Sequence, residues 1–138
     1  MDHKALLFSI TAILAWGVWG VIIKYATTKG MTGIAVYIIA SLAPLIVVPL
    51  IYAAYKPAIP LDTSLLIVLA AGVFGTLGYL FVAKALEKAS AGTVIALTSI
   101  YPAVTFTLSY IFLGEEASPK KIAGIVLAIA AVILLSTD

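Results

Sequence analysis

The sequence predicts an all-α integral membrane protein: five membrane-spanning helices forming one domain over residues 1–138. Three observations carry this. The chain is 64% hydrophobic and only 10% charged, whereas a soluble domain is about a quarter charged. Its mean hydropathy is +1.22. Its lysines and acids fall between long apolar runs, and most of these runs reach the roughly 20 residues needed to cross the hydrocarbon core. Polar groups this scarce cannot cover such a surface in water, so membrane lipid is its expected solvent and first partner.

The runs set the elements in order. Ala5 to Ile23 is uncharged between Lys4 and Lys24, giving a first helix over about 5–25. Met31 to Tyr55, between Lys29 and Lys56, gives 32–55. Thr63 to Ala83, between Asp62 and Lys84, gives 64–84, and Ala89 to Gly114, between Lys88 and Glu115, gives 91–113. The last run, Ile122 to Thr137, is the shortest. Pro119 to Lys121 supply its first turn, because a proline at a helix start gives up only an N–H that lacks a partner there; the helix is placed at 119–137. The connections "ATTKGMTG", "YKPAIPLDT", "KALEKASAG" and "GEEASPKK" are short and carry Gly, Pro or small polar residues, as turns do. They leave no room for a soluble catalytic domain. The first run has too long an apolar core for a cleaved signal peptide, and the chain after it does not turn polar.

Composition also excludes. The net charge is +2 and all eight basic residues are lysine, so no clustered basic face for nucleic acid is present. There is no cysteine and one histidine, which removes disulfides, thiolate chemistry and Cys- or His-based metal sites. No phosphate-binding Gly-rich loop occurs, and nothing could activate a Ser or Thr nucleophile. No cofactor is indicated, and the chain is read as not an enzyme. No Asp, Glu or His lies inside a span, so the usual intramembrane proton relay or cation partner is missing.

Five spans put the termini on opposite sides. Lys4, Lys56, Lys120 and Lys121 then share the N-terminal side, and Lys24, Lys29, Lys84 and Lys88 the other. Orientation follows the lysine and arginine bias of the loops, and here the sides balance. Such a chain can insert both ways, and two opposite copies can pair about an axis in the membrane plane, as inverted repeats do within one chain. If Lys24 and Lys84 lie deeper than the headgroups, the remaining lysines favour the N-terminus inside.

The spans are not plain. Pro44 and Pro102 stand near the middles of the second and fourth, each removing a hydrogen bond to the carbonyl four residues earlier, at Ala40 and Thr98. Thr98, Pro102, Thr105 and Ser109 follow helical spacing, with Tyr101 beside them. These hydroxyls either bond back onto their helix or line a cavity. Trp16 sits only about two residues, roughly 3 Å, past the centre of its span, too deep for an interfacial belt; Trp19 is nearer the interface. Gly17 and Gly20 flank them. Gly72, Gly75 and Gly78, with Thr76 and Tyr79, mark either close helix packing or an approach to a ligand. Gly124, Ala128 and Ala131 mark the last span as a packing or dimer helix. Lys24 and Lys84 each end an apolar run, where snorkelling to the headgroups is the default.

"AWGVWGVIIKYA" at Ala15 to Ala26 resembles the first-helix signature of the drug/metabolite transporter superfamily, in its EamA-type branch. The chain from Gly78 onward is similar to the rest of that domain. The marks are the small-residue turn at Ala89 to Thr93, Pro102, "LGE" at Leu113 to Glu115, and Gly124. The resemblance covers nearly the whole chain and implies a half-size, single-repeat member with five helices, pairing as an antiparallel homodimer in a prokaryotic cytoplasmic membrane. It implies a secondary transporter of a small metabolite, amino-acid-like or otherwise amphipathic, working by alternating access. The cavity would draw on helices one, three and four, which points to Trp16, Trp19, Tyr79, Thr98, Tyr101, Pro102 and Thr105 as substrate-binding. Lys24 and Glu115 match motif positions and, with Lys84, are candidates for a gate or charge role. A non-transporting membrane subunit, or a lipid-flippase component working with a partner, are the other readings.

Overall fold

The computed structural model describes residues 2–135, all of whose regular elements are α-helices. They are α1 (His3–Thr28), α2 (Gly33–Ala40), α3 (Ala43–Tyr55), α4 (Thr63–Lys88), α5 (Ala91–Thr98), α6 (Tyr101–Leu113) and α7 (Pro119–Leu135). The chain divides into two compact units, Met1–Lys88 and Ala89–Asp138. The expected end of the last helix, at Thr137, lies outside the described residues.

Two expected helices, 32–55 and 91–113, are each broken in the middle, and chemistry explains where. A proline inside a continuous helix costs roughly 3 kcal/mol through its lost bond and its ring clash. The chain avoids this by stopping α2 at Ala40 and α5 at Thr98, the residues whose carbonyls Pro44 and Pro102 cannot serve. A new helix then begins with the proline in its first turn, where it is tolerated. Across the first break Leu42 donates to Ile39 and Leu45 to Leu42; across the second Ile100 donates to Leu97 and Ala103 to Ile100. All four bonds reach three residues back instead of four. The face expected from Thr98 to Ser109 is therefore interrupted, leaving Thr98 on α5 and Pro102, Thr105 and Ser109 on α6.

The two broken spans share one construction at one constant spacing, which the sequence reading did not see. Thr32 and Ser90 are the N-caps, each accepting from the backbone N–H three residues on, at 3.2 Å. Eight helical residues follow, then Ser41 or Ser99 at the break, then thirteen more. Each ends on a left-handed residue, Lys56 (φ 41°) or Gly114 (φ 66°). A 26-residue helix, α1 or α4, precedes each.

In the first unit α1, α2 and α4 pack together. Ile23 of α1, Val36 of α2, and Ala83 and Leu86 of α4 are its buried apolar side chains, with Gly20 and Gly33 buried beside them. Gly33 is obligatory, because a Cβ there would stand 2.7 Å from the Ala83 carbonyl oxygen and from the Lys84 Cα. α1 and α4 run past the uncharged segments that announced them, because the polar groups at their ends are engaged. The Lys24 ammonium donates to the Leu86 carbonyl at 2.9 Å, and the Thr27 hydroxyl to the same oxygen at 3.3 Å. Glu87 accepts from the Gly33 N–H at 2.6 Å.

In the second unit α5 and α6 pack on α7. Val94 and Val132 are buried. The inward face of α7 is Ile125, Ile129 and Val132, while Gly124, Ala128 and Ala131 are exposed. The small-residue stripe is thus not the face used within the unit. Ser118 caps α7, its Oγ accepting from Lys121 N–H at 3.3 Å, and Pro119 is the first helical residue.

Among the described residues four stretches are long and apolar enough to cross a membrane: His3–Thr28, Gly33–Tyr55, Thr63–Lys88 and Ala91–Leu113. α7 has 17 described residues, short of the roughly 20 that a span needs.

Candidate functional site

The α2/α3 break faces the glycine-rich middle of α4, and a cleft of about 490 Å³ opens between them. Ala40, Ser41 and Pro44 line it from the break, and Gly72, Gly75, Thr76 and Tyr79 from α4. Enclosed small-ligand sites run from about 300 to 1,000 Å³; this cleft has a comparable volume but is open on one side. The glycines make the space. Beyond its own turn of helix, no atom lies within 4 Å of a Cβ built on Gly72, Gly75 or Gly78, so within this unit they are not packing contacts. A second depression, on α4 from Val68 to Leu77, is a groove along one helix. Its one hydroxyl, Thr76, is already bonded to the Gly72 carbonyl, and it offers little to hold a ligand.

One end of the cleft is aromatic. The Tyr79 ring meets Trp19 edge-on at 5.1 Å between centroids and Tyr37 at 5.4 Å. Such pairs contribute about 0.5–1.5 kcal/mol each beyond burial and fix the position of Tyr79. Its hydroxyl oxygen is buried and makes no hydrogen bond of regular geometry, with the Trp19 indole as its polar neighbour. A buried hydroxyl whose hydrogen bonding is incomplete costs about 1–3 kcal/mol. No charged side chain lines the cleft.

The residues expected from sequence fall into groups. Tyr79 lines the cleft and Trp19 backs it. Trp16 lies exposed on α1. In the second unit Thr98 bonds back to the Val94 and Ile95 carbonyls at 3.0 Å, while Tyr101, Pro102 and Thr105 are exposed on α6. Lys24 holds the end of α4, and Lys84 is exposed with its backbone beneath Gly33. Glu115 follows left-handed Gly114, and its N–H donates to the Ser109 carbonyl at 3.4 Å, closing α6. Tyr37 and Ser41 were missed. Tyr37 lies on α2 and Pro44 on α3, across the break, so helical spacing from the proline did not lead to it.

The EamA-like transporter family model matches residues 3–137. The chain belongs to that family. It is a multi-pass membrane protein of transporter type. It is also 36% identical over 101 residues to an uncharacterized protein of Methanocaldococcus jannaschii, covering 72% of this chain and 74% of that one. No solved structure matches it.

Proposed function

We propose that this EamA-family protein is a secondary transporter that moves a small amphipathic solute across a prokaryotic cytoplasmic membrane by alternating access. The observation that carries this is the cleft between the α2/α3 break and α4, with its aromatic end at Tyr79. Helix breaks at membrane depth are tolerated where they line a cavity, and transporters place substrate at discontinuous helices. The break at Pro102 repeats the construction at Pro44 and is a second point of flexure, with Thr98, Tyr101 and Thr105 around it. α7 is the fifth span. No carboxylate lines the cleft, so the solute's own gradient drives movement. The working form is an antiparallel homodimer, a reading supported by the balanced lysines and the exposed Gly124, Ala128 and Ala131 face.

Flux of labelled solutes into proteoliposomes tests transport. Gly75→Leu should fill the cleft and abolish flux in protein that still inserts; undiminished flux would move the site elsewhere. Orientation is tested with Glu116→Cys, an exposed position in a chain without cysteine. Labelling of about half the molecules by an impermeant maleimide supports dual insertion, the half being what equal populations give. All or none gives one fixed orientation and removes the antiparallel pair.

A further inference from the structure

The acceptors and donors around the cleft are unequal. α2 ends there, and the C-terminal end of a helix carries roughly half a negative charge on its unserved carbonyls. Pro44 has no N–H to give the Ala40 carbonyl. Thr76 has spent its proton on Gly72 and keeps only acceptor capacity. The start of α3 brings the opposite dipole end, but its first turn is poor in donors: Pro44 has none, and the Leu45 N–H is used on the Leu42 carbonyl at 3.0 Å. The aromatic group adds ring faces that attract cations.

We infer that the cleft takes its solute by a hydrogen-bond-donor end, an amine carried as ammonium, seated against the carbonyl end of α2 and the exposed Thr76 hydroxyl oxygen, with the Tyr79 ring beside it. This rests on the cleft being the solute site. Carbonyl dipoles replace the hydration shell of a cation without a fixed countercharge, as in ion-selective filters. A carboxylate end would find the Ser41 hydroxyl and little else. An alcohol could use the same acceptors with a single, uncharged donor. The apolar remainder of the solute would lie along the Gly72–Gly75 surface of α4.

The test is equilibrium dialysis of labelled n-butylammonium against the protein in lipid nanodiscs, with empty discs subtracted, and competition by unlabelled n-butylammonium, n-butanol and n-butyrate. Saturable binding is expected, displaced by butylammonium about tenfold better than by the other two, the usual margin of a charge-assisted bond over a neutral one. Pro44→Ala restores the N–H that would occupy the Ala40 carbonyl and should weaken binding about fivefold. Thr76→Val, which removes the acceptor oxygen and keeps the side chain's shape, should also weaken it. Pro49→Ala, in α3 but outside the cleft lining, should bind as the parent does. Equal displacement by all three compounds, no saturable binding, or parental affinity in both Pro44→Ala and Thr76→Val overturns the inference. Flux lost in Gly75→Leu alongside any of these results would leave the transport reading standing and remove only the amine.

Discussion

The Lys24 ammonium donates to the carbonyl of Leu86 across 62 residues of chain, at 2.9 Å. The next residue, Glu87, accepts from the N–H of Gly33 at 2.6 Å. A cation thus meets the negative end of α4 and a carboxylate the positive end of α2, the signs helix dipoles favour. In lipid, apolar packing between helices gains nothing over contact with lipid tails, so close contact and hydrogen bonds decide association. Lys24→Met should therefore lower thermal stability by about 1 kcal/mol. Gly33→Ala should cost more, about 1–3 kcal/mol, because the backbone of Ala83 and Lys84 stands where its Cβ would go. Melting of the purified variants in detergent measures both, and the expected order is parent, then Lys24→Met, then Gly33→Ala.

Gly75→Ala should have opposite effects on stability and function. Beyond its own turn of helix, the methyl meets no atom within 4 Å, and Ala is favoured over Gly in a helix by roughly 0.5–1 kcal/mol. The melt should rise while flux per molecule falls, because the methyl enters the cleft. A melt paired with proteoliposome flux reads both.

Left-handed caps close both broken spans, one on Lys56 and one on Gly114. A side chain in that conformation costs about 1 kcal/mol that glycine does not. Lys56→Gly should raise stability by about that amount, and Gly114→Ala should lower it by a similar amount. Chemical denaturation of the pair gives the signs directly.

Asp62 precedes α4, and its carboxylate accepts from the Ser64 N–H at 2.8 Å. The Ser64 hydroxyl and then its backbone N–H hold this carboxyl below its ordinary range. A lowered folded value means stability that is fully present above the unfolded value, about 3.9, and lost as pH falls through the folded one. The parent should lose more stability than Asp62→Asn on acidification below about pH 4. Parallel melts across that range would show the difference.

Much of the fold was legible because membrane spans are read from length and charge, which are local. The start of α7 at Pro119 followed from proline chemistry, and the carbonyls at Ala40 and Thr98 were placed by counting four residues back from each proline. Each proline was thus expected to break its helix, although each span was placed as one stretch, since a run of the right length reads as one span whether or not it is continuous. The site was half legible: Tyr79 and Trp19 were named, but Tyr37 and Ser41 lie on a span read mainly for its proline.

Composition and apolar run length alone determined that the chain is helical and membrane-spanning, and proline chemistry where its helices must yield. Tertiary structure decided which small residues carry contacts. Gly33 lies against backbone while Gly72, Gly75 and Gly78 leave open space, and α7 turns Ile125, Ile129 and Val132 inward instead of its small-residue stripe. It also decided that Lys24 serves the end of α4. The reason is that a periodic pattern identifies the faces of a helix but not what stands opposite each one; a glycine is a contact or a cavity only once its neighbour is in place.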